Sequence, residues 1–208
     1  MKKIILAAIF FIMVSAANFA AAATVEKHLY HNVPGLIYPV VKTSNPAAEA
    51  KINQKIYEEI QRTLQNLKNR AGEDYMSIHL SYSVPCNQDG GLLSIIFSES
   101  VMIEKAAHPW NMIQTLNFNS DSGEQITTGD LSEIARHGND YTPAQITRKL
   151  RIFAEKTNRK LNQDFTGLSE IPKNFYFDEN LHVHFLFEQE TIAHYAYGHF
   201  DLDADATY

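Results

Sequence analysis

Nine histidines in a chain of 208 residues raise metal chemistry as the first question. His182 and His184 are two apart in an alternating segment. A strand there would point both rings to one face, opposite Leu181, Val183, Phe185 and Phe187. His194 and His199 follow shortly after. A zinc centre needs three or four converging ligands, and no His-Glu-x-x-His helix, cysteine pair or fixed carboxylate accompanies these rings. The pattern reads instead as polar residues on the solvent side of a half-buried strand. Asp201-Leu202-Asp203-Ala204-Asp205 has the alternate aspartates that open a calcium loop, but not its turn glycine or distal glutamate. On an exposed edge strand such charges discourage edge-to-edge pairing.

Nucleophilic and phosphate chemistry find even less support. Cys86, the sole cysteine, follows Pro85 in what reads as a turn, with no helix start to lower its pKa. No intrachain disulfide is possible, and a buried thiol is the expectation. There is no Gly-x-Ser-x-Gly elbow, and Gly90-Gly91 lacks the Lys-Ser/Thr of a phosphate loop. Carboxylate pairs that cleave glycosides meet only in the fold, so a hydrolase stays open as the alternative. The sequence assigns no catalytic residue, no metal and no cofactor.

Aromatic residues give the stronger lead. His108-Pro109-Trp110-Asn111 sets the only tryptophan in a Pro-containing polar connection. Tyr195 and Tyr197, within Ala193 to Gly198, would share one strand face. Tryptophan and tyrosine dominate binding hot spots because they bury a large area and keep a polar handle. His108, Trp110, Asn111, Tyr195 and Tyr197 are therefore the candidate ligand-binding residues. The alternative for Trp110 is closure over a core rim.

Two helices must position these residues. Asn45 caps and Pro46 starts the first, whose Ala48, Ile52, Ile56, Ile60, Leu64 and Leu67 form one apolar stripe. Thr142-Pro143-Ala144-Gln145 has capping-box spacing and opens the second. Ile146, Leu150, Phe153, Ala154 and Leu161 make its buried face, and Arg148, Lys149, Arg151, Lys156, Arg159 and Lys160 a basic outer one. The rest reads as strands: Ser77 to Val84, Leu92 to Glu104, Met112 to Asn119, Phe175 to Phe177, Leu181 to Phe187, Ile192 to Tyr197 and His199 to Leu202. Asp89-Gly90-Gly91, Ser120-Asp121-Ser122-Gly123 and Asp178-Glu179-Asn180 read as turns. Isolated helices among such strands predict the α+β class, an antiparallel sheet with two main helices packed on one face. One domain is expected, divisible into two subdomains that meet near Gly138.

Met1-Lys2-Lys3, the apolar run Ile4 to Val14 and the small residues Ser15 to Ala23 read as a secretory signal over residues 1–23, with the domain over 24–208. The strong apolar core is about 11 residues, short of the roughly 20 a membrane span needs. A periplasmic or secreted protein is expected, with no membrane insertion after cleavage. The whole chain carries a formal charge of −6, and loss of Lys2 and Lys3 makes it −8. That balance disfavours nucleic acid and favours a cationic partner.

Four stretches of the mature segment carry a family pattern. The first is Tyr38-Pro39-Val40 followed by Ile52-Asn53. The second is Ala107-His108-Pro109, then Leu116-Asn117-Phe118 and Ser122-Gly123. The third is Ile126-Thr127-Thr128-Gly129-Asp130-Leu131. The fourth is Phe175-Tyr176-Phe177, Leu181 to Phe187 and Ile192 to Gly198. In that order they resemble the RsiV/PdaC-type extracytoplasmic domain, shared by a lysozyme-sensing anti-sigma factor and a peptidoglycan deacetylase. Ala106, Asn119 and His194 stand where that pattern usually has glycine, aspartate and proline. Neither a transmembrane helix with a sigma-binding tail nor a deacetylase domain is evident. The resemblance thus implies only the non-catalytic, envelope-facing module. Its expected partner is a peptidoglycan fragment or a cationic envelope protein such as lysozyme.

Overall fold

The computed structural model describes residues 21–71, 75–134 and 141–207. Residues 1–20 of the expected 1–23 signal and the subdomain junction at Gly138 lie outside the described residues. In chain order the elements are β1 (Thr24–Leu29), β2 (Ile37–Lys42), α1 (Pro46–Ala71), β3 (Tyr75–Asn87), β4 (Leu92–Ile103), β5 (Trp110–Asn119) and β6 (Gln125–Ile126). They continue with α2 (Leu131–Ile134), α3 (Pro143–Lys156), β7 (Phe175–Phe177), β8 (Val183–Phe187) and β9 (Phe200–Asp203). The class is α+β, and all the pairings between named strands are antiparallel. Among the described residues the strands divide into three sheets, β1-β2, β3-β4-β5-β6 and β7-β8-β9.

Each long helix covers its own sheet. Asn45 accepts hydrogen bonds from the amides of Ala47 and Ala48 at 3.1 and 3.4 Å and so caps α1. The stripe Ile52, Ile56, Ile60, Leu64 and Leu67 is buried against Leu80, Leu93, Ile95, Phe97, Val101, Met112 and Leu116 of the four-stranded sheet. Each such side chain contributes about 1.5–3 kcal/mol. Thr142 accepts from the Gln145 amide and caps α3, which packs Ile146, Leu150 and Ala154 on Phe175, Phe185 and Phe200 of the three-stranded sheet. Leu161 is not on α3. The helix stops at Lys156, Asn158 takes φ +53°, and Leu161 instead bridges Ala193. The basic outer face of α3 is also partly occupied. Lys149 donates to the Ala204 carbonyl, Arg151 donates to the Thr166 carbonyl at 2.9 Å, and Arg159 lies over the Phe200 ring.

A buried polar pin joins the two halves. Ser94 and Asn117 are cross-strand partners on β4 and β5, and Ser94 Oγ donates to Asn117 Oδ1 at 2.7 Å. Asn117 Nδ2 donates to the Phe175 carbonyl at 2.7 Å, and the Phe177 amide donates to Ser94 Oγ at 3.0 Å. Thr115 Oγ1 accepts from the Phe175 amide. These bonds satisfy groups that burial would otherwise penalise, and they fix β7 on the back of the larger sheet.

One turn expectation and one strand expectation change with the structure. Cys86 is not in a turn: it lies in β3, opposite Ser94 and buried. Pro85 falls at the register shift between Ser83 and Cys86, where a residue without an N–H does least harm to the ladder. Burial pushes the thiol up to about 11. The segment after Ile192 is not a strand up to Tyr197. Tyr195–Tyr197 forms a 3-10 turn, capped by His194 Nδ1 accepting from the Ala196 amide and closed by Gly198 at φ +69°.

Candidate functional site

The first strand residues of β5 organise the site. Alternate residues point to opposite faces. Trp110, Met112 and Gln114 therefore face α1, while Asn111 and Ile113 face the other way. On the second face Asn111 Nδ2 donates to Gln189 Oε1 at 3.2 Å and lies 3.4 Å from the Tyr195 hydroxyl. Tyr195 in turn donates to the Pro109 carbonyl at 3.3 Å. The His108 ring stacks on the Tyr195 ring, with centroids 3.9 Å apart and planes 23° apart. The connection before β5 and the loop after β8 thus close on each other through His108, Asn111 and Tyr195.

Trp110 belongs to β5 and not to the connection, and at 40% exposure it does not close a core rim. Tyr197 is separated from the group. A 3-10 turn has three residues per turn, so residues two apart diverge where a strand would align them. Tyr197 packs against the α3 core.

On the α1 side lies a hollow of about 450 Å³, lined by Arg62, Asn66, Asn69, Met112, Gln114 and Glu188. It adjoins the aromatic group at two places, since Met112 follows Asn111 and Glu188 precedes Gln189. Arg62 is held by Glu59 and donates to Gln114 Oε1 at 2.6 Å. Behind the hollow is Glu99 of β4, directly opposite Met112 and only 3% exposed. Among the described residues its Oε2 and the buried Thr63 Oγ1 have no partner in hydrogen-bond geometry, although Thr63 lies close enough to favour the ionised form. Burial pushes the Glu99 carboxyl up to about 7. Glu59 and Glu188 add to that rise, while Thr63 and Arg62 oppose it.

None of Arg62, Glu99, Gln114, Glu188 or Gln189 stands out in the sequence as a site residue. One signal was there. Ile95, Phe97, Glu99 and Val101 form one alternating face of β4, and a carboxylate on an otherwise apolar face needs an explanation.

His184 on β8 and His182 just before it have partners that their spacing alone did not reveal. His182 Nδ1 lies 3.0 Å from Asp203, and His184 Nδ1 lies 2.8 Å from Asp201. Tyr176 donates to Asp201 at 2.7 Å and stacks on His184. Tyr141 donates to Asp205, whose carboxylate also accepts from the Val183 amide. The alternate aspartates are therefore more than charges that repel other strand edges: they clasp β9 and the residues after it to β7, to the β8 segment and to Tyr141 just ahead of α3. The hydrogen bond and charge of Asp203 raise the His182 pKa. For His184 burial acts downward, but Asp201, Asp203 and Asp178 outweigh it and the pKa rises. Among the described residues no group of three or more His, Cys, Asp or Glu is placed to hold a metal ion.

No family model matches the sequence, and no curated protein matches it. Solved structures do. The chain is similar in fold to a DUF3298-family protein. That protein is from Bacteroides fragilis, and its crystal structure superposes with a TM-score of 0.51 at 14% identity. The match covers 89% of this chain and 91% of the other. Likeness at that identity concerns the fold alone. It spans both sheet–helix halves, so their combination is common to the two proteins. No helix among the described residues is long and apolar enough to cross a membrane.

Proposed function

We propose that this chain is an exported, non-catalytic module of the cell envelope, periplasmic or secreted, and of the RsiV/PdaC type. In this reading it recognises a peptidoglycan fragment or a cationic envelope protein such as lysozyme. The ordered motifs in the sequence support the family, and so does a fold neighbour whose DUF3298 family is related to that type. One observation carries the binding reading: exposed Trp110 shares β5 with Asn111 of the His108–Asn111–Tyr195 group and with Met112 of a polar hollow. Aromatic faces beside amide and carboxylate groups suit a ligand with apolar sugar faces and many polar hydrogens. The net negative charge suits cationic partners.

Sedimentation with purified peptidoglycan and pull-down with lysozyme, each at low and high salt, test the proposal. Binding to either that Trp110→Ala weakens is the expected result. Absence of binding to both removes it.

The hydrolase alternative draws on Glu99, a buried carboxyl raised to about 7 in the company of Glu59 and Glu188. Such tuning is found at general acids. Muropeptide release by homogeneous protein, abolished by Glu99→Gln, would favour this second reading.

A further inference from the structure

We infer that the hollow between α1 and β5 seats a primary ammonium, the free side-chain amine of a peptidoglycan stem peptide. The inference rests on the peptidoglycan reading above and names the group that reading leaves open.

The lining is built of acceptors and spare negative charge. Arg62 lies at the hollow as its one cation, but Glu59 pairs with it and offsets its charge. Among the described residues nothing engages the Glu188 carboxylate in a hydrogen bond or ion pair. Asn66 supplies a further amide oxygen, while the oxygens of Asn69 and Gln114 already accept from Gln65 and Arg62 and keep one lone pair each. The charged groups that bear on Glu99 are Glu59 and Arg62 from α1 and Glu188 from the loop after β8. Leu80 and Met112, its neighbours on the two flanking strands, are uncharged. Glu59 and Glu188 against Arg62 leave one negative charge in excess, and Glu99 adds a second when it ionises.

An ammonium suits this place better than a guanidinium or a hydroxyl. It is compact and donates in three directions, which matches acceptors spread around a small cavity. A volume of about 450 Å³ holds an amine on a short methylene stem but not a folded peptide. Trp110 lies two residues from Met112 on the same strand face, roughly 7 Å along the strand, so a sugar on the tryptophan and an amine in the hollow are within one ligand's reach.

Glu99 supplies a signature. An ammonium above Met112 favours its ionised form, so amine binding draws a proton off Glu99 and tightens as the pH rises. The amine itself stays protonated to about pH 10, which leaves the change between pH 6 and 8 to the protein.

The test is calorimetric titration of the mature chain with a disaccharide–tetrapeptide carrying a free diamino-acid amine, and with the same fragment acetylated on that amine. The free amine should bind roughly five- to tenfold more tightly, as expected of one partly desolvated ion pair. Glu188→Gln at the lip should erase that preference without affecting the acetylated fragment. Wild-type affinity for the free amine should rise several-fold from pH 6 to pH 8, and Glu99→Gln should flatten the rise. Equal binding of the two fragments overturns the inference and leaves the peptidoglycan reading standing. Failure of both to bind overturns the two together.

Discussion

Replacing Glu99 by glutamine should stabilise the protein, and by more at alkaline than at acid pH. The side chain is 3% exposed, and its carboxyl is pushed from an ordinary 4.5 up to about 7. The folded state therefore holds this proton more tightly than the unfolded chain does. Its contribution is full below 4.5 and is lost as the pH rises through 7. At roughly 1.4 kcal/mol per pH unit the cost above that window comes to about 3 kcal/mol. Glutamine keeps the shape and cannot ionise. Urea unfolding of wild type and Glu99→Gln at pH 5 and pH 8 reads the difference directly. The variant should gain about 1 kcal/mol or less at pH 5 and about 3 kcal/mol at pH 8, with an unchanged denaturant slope. A constant difference across that range, or a variant less stable at pH 8, would refute the picture of a carboxyl ionising in a site too dry for it.

Further expectations concern the scaffold that holds the site. Asn117→Ala removes the acceptor for Ser94 and leaves the Phe175 carbonyl without its donor, so thermal or urea unfolding should show a loss of about 1–3 kcal/mol. Gly123 has φ +76°, and a Cβ there would come within 2.7 Å of the Ala48 backbone. Gly123→Ala should cost about 2 kcal/mol or more, measured the same way. His182 gains its proton through Asp203. The stability from that pair is complete below the ordinary histidine value of 6.5 and is lost as the pH rises through the higher folded value. His182→Gln should therefore speed hydrogen exchange at the Ala204 amide, which donates to Val183, at pH 6 and much less at alkaline pH. Equal acceleration at both would contradict the clasp.

Elements whose own residues carry the period were legible in the sequence. The α1 stripe at three- and four-residue spacing, the Asn45 and Thr142 caps and the alternation around Ile78, Leu80 and Tyr82 depend on local chemistry alone. What escaped depends on partners distant in sequence. His182 and His184 become charge-paired only because β9 sets Asp203 and Asp201 beside them, and neither run reveals that register by itself. The 3-10 turn at Tyr195 escaped because alternating small and aromatic residues mimic a strand. The decision rests with a histidine cap and Gly198 at positive φ. For the site, the sequence picked out His108, Asn111 and Tyr195, which do meet, and Trp110 beside them. The hollow was invisible because α1, β5 and the Glu188 loop meet there from three parts of the chain.

Binding of purified peptidoglycan fragments and of lysozyme to the protein, compared between wild type and Trp110→Ala at equal stability, tests the central claim most directly. Saturable binding to one of them, weakened at least tenfold by the substitution, is the predicted result. Binding by both proteins with the same affinity would place recognition elsewhere on the molecule. No binding by either would contradict the account.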